Sequence, residues 1–164
     1  MSLAVMEQSQ GTVTIAHSIG TIEVPADAIM RFVEDLWGFP GRSEYALLPA
    51  KREGVWWMMS VGEPSTTFVL ADPFVADPSY ELDLGEAEKS RLKIESEADV
   101  IALLMVALPL TAGQQPTANF RAPIVFNLRE QLALQTVSRD ERWGLQEPID
   151  LAAYPSNENG VALT

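Results

Sequence analysis

The chain has 164 residues, of which 47% are apolar, enough for one compact core and too few for two comfortable ones. Its 23 acids against 11 bases give a net charge of -12, which argues against direct binding to nucleic acid, where cationic groups must displace counterions from phosphates, and suits a basic protein partner. There is no cysteine, so disulfides, thiolate catalysis and cysteine-ligated zinc are all excluded.

Residues 1–10, MSLAVMEQSQ, have neither the basic region nor the long apolar stretch of a signal peptide, and are expected to form a flexible N-terminus. A hairpin follows. Val13 and Ile15 alternate with Thr12 and Thr14, HSIG turns the chain, Ile22 and Val24 resume the alternation, and Pro25 ends the strand for want of an N–H. ADAIM reads as one helical turn before Phe32, and WGFPGRSEYALLP as a turn-rich link into a strand around Tyr45 to Leu48. Trp56 to Met59, between Gly54 and Gly62, carry large side chains on both parities, as expected of a strand covered on both faces. Thr67 to Ala71 make its neighbour across the GEPS turn.

Asp72 to Gly85 read as extended chain with two Asp-Pro breaks, and EAEKSRL as one or two helical turns. Over SEADVIALLMVALPL the signals conflict, because Ser96 and Asp99 have capping-box spacing and the composition favours helix, whereas a run this short has no decisive period. Its apolar part, of 11 residues including a proline, falls short of the ~20 that span a bilayer. In Phe120 to Asn127 one parity is wholly apolar (Phe120, Ala122, Ile124, Phe126) and the other reads Arg121, Pro123, Val125, Asn127. The pattern predicts a half-buried strand with an outward row, its edge marked by Pro123 and its ends by Asn119 and Asn127. NLRE then turns into Gln131 to Val137, an antiparallel partner. Residues 151–164 have little to bury and are expected to form a mobile tail. The fold class is therefore mainly β, a small single-domain, barrel-like antiparallel fold over residues 11–150.

Chemistry finds little footing. The lone histidine, His17, sits in the first turn with no second histidine and no identifiable nucleophile, and the G-x-S-x-G, P-loop, G-x-G-x-x-G and zincin patterns are absent. No catalytic, metal or cofactor residues are assigned. Two alternatives stay open: a barrel holding an apolar small molecule among Trp56, Trp57, Phe68 and the methionines, and a glycosidase-like pair of carboxylates. Charge is more informative. Between Asp72 and Asp99 nine acids face three bases, so half of the net charge lies in about one sixth of the chain, a field able to steer a cationic partner.

Several stretches taken together resemble one family: LKIESEADV (Leu92 to Val100), TANFRAPIVFN (Thr117 to Asn127) followed by a strand with Gln135, WGFPG (Trp37 to Gly41), and ADP (Ala71 to Pro73) with Tyr80 shortly after. In this order and spacing, from Gly11 to about Val137, the chain resembles the flagellar assembly factors FliW. The resemblance implies a small β-barrel-like fold and no enzymatic activity; a cytoplasmic location is the expectation from the missing signal-peptide pattern and the short apolar run. The resemblance also implies binding to CsrA, a dimeric RNA-binding protein that represses flagellin translation, and to flagellin, which competes for the same factor. It further assigns Val100 to Leu108 to strand. Two positions depart from the family pattern: Phe120 stands where leucine is usual, and Arg42 where an aromatic or aliphatic residue is usual, a change expected to bear on partner choice. Contact candidates are Asp72, Asp77, Tyr80, Glu81 and Asp83 of the acidic stretch, the Gly38, Phe39, Pro40, Gly41 turn, and Arg121.

Overall fold

The computed structural model describes residues 11–17, 20–62 and 65–162. The N-terminus expected over 1–10, the turn residues Ser18 and Ile19, the side chain of His17 and the hairpin tip Glu63–Pro64 lie outside the described residues.

Strands β1 (Thr12–His17) and β2 (Gly20–Pro25) pair antiparallel, with Val13 opposite Val24 and Ile15 opposite Ile22. The main sheet takes β3 (Ile29–Phe32), β4 (Glu44–Pro49), β5 (Val55–Ser60), β6 (Thr67–Ala71), β7 (Val100–Ala107), β9 (Ile124–Asn127) and β10 (Leu132–Gln135), and closes because β7 also pairs β9. Two short strands, β8 (Thr117–Ala118) and β11 (Glu147–Pro148), extend it beside β7. The closed ring has seven strands, and directions cannot alternate around an odd ring. One neighbouring pair must run parallel, and it is β10 with β3, where Leu132 faces Arg31 and Ala133 faces Phe32. The expected all-antiparallel pairing is corrected at that one seam.

Inside the ring, Met30, Phe32, Tyr45, Leu47, Met58, Leu70, Leu103, Ile124 and Phe126 fill the interior. This is the space where an apolar ligand would have to sit. The opposite parity of β4 and β5 (Ala46, Leu48, Met59) meets Ile15 and Val24 of the β1–β2 hairpin. Strand β5 is therefore covered on both faces, which is why its apolar residues do not alternate. A third cluster, outside the barrel, gathers Tyr80, Phe120, Trp143, Ile149 and Tyr154.

Three expectations change. Ala26–Ala28 form the single helical turn, but Ile29–Phe32 are strand β3. The Phe120 to Asn127 strand begins only at Ile124, because the Asn119 side chain accepts hydrogen bonds from the N–H groups of Arg121 (3.1 Å) and Ala122 (2.9 Å) and bends the chain there. Its second parity does not face outward. Strand β9 lies between β7 and β10, with Pro123, Val125 and Asn127 all buried, so Pro123 marks no edge. Asn127 accepts from the N–H groups of Arg129 and Glu130 and donates to Leu92 O (2.8 Å) and Lys93 O (3.2 Å), joining the β9–β10 turn to the segment before β7.

The stretch beyond residue 150 has more to bury than its composition suggests. Tyr154 is 1% exposed and donates to Asp72 O at 2.6 Å, and Trp57 Nε1 donates to Val161 O at 2.8 Å. Asn157 donates to Ala50 O, and bridges join Ala50 to Val161 and Arg52 to Ser156.

Candidate partner-binding surface

The acidic stretch is the link between β6 and β7, and local bonds fix its shape. Asp72 caps a single-turn helix, α1 (Pro73–Ala76), by accepting from Phe74 N–H at 2.8 Å, with Pro73 at the first helical position where a missing N–H costs nothing. Capping turned an expected extended run into a helical turn. Asp77 accepts from both the N–H (3.0 Å) and the hydroxyl (2.7 Å) of Ser79, and these bonds hold its carboxyl below the usual range. Further on, Gly85 N–H donates to Glu88 at the start of α2 (Glu86–Arg91), the expected helix. Ser96 accepts from Ala98 N–H, but the turn it caps covers only Glu97–Asp99 before β7 begins. The capping signal was real and its helix is one turn long.

The contact candidates fall into different environments. Glu81 and Asp83 are exposed, Asp83 lying 3.7 Å from Arg139. Tyr80, however, is 3% exposed; its hydroxyl donates to Phe120 O at 3.0 Å and its ring meets Phe120 and Trp143, so it serves the core. Burial raises the Tyr80 phenol to about 12. Arg121 braces the chain instead of reaching out, its Nε donating to Trp143 O at 2.9 Å. Phe120, the departure from leucine, stacks on Trp143 at 5.5 Å, so the larger ring has a partner. Arg42 donates to the buried Ser60 hydroxyl at 3.0 Å.

The Gly38 to Gly41 turn stands elsewhere. Gly38 and Gly41 have φ of 89° and 84°, values that side chains disfavour, and Gly41 N–H donates to Asp35. Phe39 packs edge-on against Phe68 at 4.9 Å, while Gly38, Pro40 and Gly41 are exposed. Phe68 is the second residue of β6 and Asp72 follows its end, and four residues of strand span ~13 Å. The turn and the acidic link therefore lie toward opposite ends of that strand. Beside the turn, Trp37 is half-exposed, and its backbone N–H donates to Gln135 Oε1 at 3.3 Å. Trp37 is not among the contact candidates, since nothing in the sequence pattern tells that its ring is outside.

A groove of about 740 Å³ opens where β6 leaves β7, walled by Trp56, Phe74, Leu82, Leu84, Ile94 and β7 residues Val100 to Leu103, with Asp72, Asp83, Glu97 and Lys89 also on it. Among the described residues, no three histidine or carboxylate side chains gather in a way that could hold a metal ion. No helix of the described residues is long and apolar enough to cross a membrane.

Comparison with known proteins decides the family. The profile described as "FliW protein" matches residues 14–149. The chain belongs to the FliW family. FliW relatives include flagellar assembly factors from Treponema denticola (30% identical, over 80% of this chain and 89% of that protein) and Shouchella clausii (33%, over 82% and 92%). A solved structure, "Crystal structure of the flagellar assembly factor FliW", superposes with a TM-score of 0.71 at 29% identity, covering 84% of this chain and 96% of that one. The FliW match runs past Val137, where the quoted motifs end, to the β11 region that closes over Trp143.

Proposed function

We propose that this FliW-family chain is a non-enzymatic cytoplasmic regulator of flagellum assembly that binds a CsrA-type translational repressor and relieves its hold on flagellin translation, with flagellin as a competing ligand. The observation that carries this reading is the acidic link between β6 and β7: nine acids against three bases, several fixed by caps and turns at the molecular surface. A preset negative field suits a cationic, RNA-binding partner, and it acts on encounter rate more than on final affinity. Release of RNA does not require a shared surface, because coupling between two sites is reciprocal: if this protein lowers the repressor's affinity for RNA, RNA lowers the repressor's affinity for this protein by the same factor.

The test is a pull-down of the tagged protein against CsrA and flagellin from the same cell, repeated with each as competitor for the other. The reading expects both to be retained and flagellin to displace CsrA. Retention of neither overturns it, and retention without competition removes the switch.

A further inference from the structure

The groove beside β7 has the form of a missing strand. Strand β6 pairs β7 only through Val69–Val106, Leu70–Met105 and Ala71–Leu104, and then Asp72 turns it away into α1. Residues Val100 to Leu103 continue as strand with a partner on the β9 side alone. The ladder's parity shows which backbone groups are left over. Leu128 N–H donates to Asp99 O (2.8 Å) and Asn119 N–H to Met105 O (3.0 Å), so odd-numbered residues bond toward β9 and β8 while even-numbered ones turn to the opposite edge. Leu104 meets β6 on that edge. Val100 uses its N–H on Glu97 O, which leaves Val100 C=O and both backbone groups of Ala102 directed into the groove with no ladder partner among the described residues.

We propose that this slot receives an extended, lysine- or arginine-bearing segment of a partner protein, which adds a strand beside Val100 to Leu103 in the place β6 vacates. Such a segment would complete the ladder at Ala102, and its side chains, alternating in direction, would meet Trp56 on one side and Leu82 or Ile94 on the other. Charge selects the occupant. Asp72, Asp83 and Glu97 stand on the groove, while its one base, Lys89, is paired with Glu86 at 3.6 Å and Arg139 lies 3.7 Å from Asp83. The surrounding link remains strongly acidic, which disfavours an acidic peptide and a second copy of this chain, itself at -12.

The proposal rests on reading the chain as a protein-binding module, but its test uses neither proposed partner, so the two can fail separately. A capped hexapeptide of alternating valine and lysine is titrated into the full chain and followed by amide NMR shifts and hydrogen exchange. Binding should shift the Val100–Leu103 amides and protect Ala102 N–H. The same peptide N-methylated at alternate amides, and an alternating valine–glutamate peptide, should each bind at least about tenfold more weakly. Exchanging Asp83→Lys together with Glu97→Lys, both at exposed positions, should weaken the lysine peptide about tenfold while the native spectrum persists. Absence of binding, binding that ignores N-methylation, or shifts centred on Trp37 would overturn the slot. A full-length pull-down that succeeds despite a negative peptide result would leave the functional reading standing without it.

Discussion

At the scale of single residues, two polar side chains show how much was legible. The asparagines at 119 and 127 are expected to mark strand ends, where such side chains bond nearby backbone, and both make those bonds. What the pattern did not reveal is that Asn119 breaks the strand instead of opening it, because the competition between an Asx turn and a ladder is settled by packing, here of Phe120 against Trp143 and Tyr80. The burial of Tyr80 is illegible for a similar reason: an aromatic in a polar stretch carries no sign of its tertiary partners. Its burial gives a pH signature. The phenol is raised from 10.0 to about 12 in the folded protein, so between those values the unfolded chain loses a proton that the native one keeps. Native stability must then fall as pH rises from about 10 to about 12. Tyr80→Phe removes this contribution, and also the bond to Phe120 O, at a cost of about 1 kcal/mol near neutral pH. Urea midpoints measured from pH 7 to 11.5 should start lower in the variant and decline less steeply; parallel curves would show that Tyr80 does not titrate as its burial demands.

Among elements, strands with clean alternation or firm punctuation were readable, namely β1, β2, β5 and β6. Strand β7 was not readable from periodicity, since its two faces are both apolar: odd residues Ile101, Leu103 and Met105 point into the barrel, while Leu104 and Val106 support the outer aromatic cluster. The resemblance, not the physics, placed it correctly. The C-terminal stretch failed in the other direction, because its anchors are few and separated by polar residues: Tyr154, Asn157 and Val161. Ending the chain after Asp150 removes a buried tyrosine together with the bonds to Asp72 O, Ala50 O and Trp57 Nε1. Loss of a buried aromatic side chain alone costs about 3 to 5 kcal/mol. The truncated protein should therefore unfold at distinctly lower urea concentration, and Tyr154→Ala in the full chain should account for most of the drop. A truncation that leaves the midpoint unchanged would mean that these contacts contribute nothing net.

For the whole molecule, the asymmetry of charge is the property that sequence reports most directly and structure refines. The barrel supplies rigid walls, and the chain concentrates half of its net charge on one link between β6 and β7. Fields of this kind reach about 10 Å at 0.1 M salt and much further at lower ionic strength, so they govern how often a cationic partner arrives in a usable orientation. Contacts made after arrival set how long it stays. Glu81, exposed and away from the core, adds to this field without holding the fold, and Asp77 adds to it while holding only its own turn through Ser79, whereas Tyr80 and Arg121 hold the fold without adding to it. Reversing Asp77 and Asp83 together to lysine changes the local charge by four, a change large enough to alter steering without touching the barrel interior. Stopped-flow association with the proposed CsrA-type partner should slow about tenfold at 20 mM salt, with a shallower dependence on ionic strength, and the wild-type and variant rates should converge near 0.5 M salt, where screening removes the field. Dissociation rates should differ far less than association rates. If the low-salt association rate is unchanged, the acidic link is solvation alone, and recognition must be carried by shape and backbone pairing.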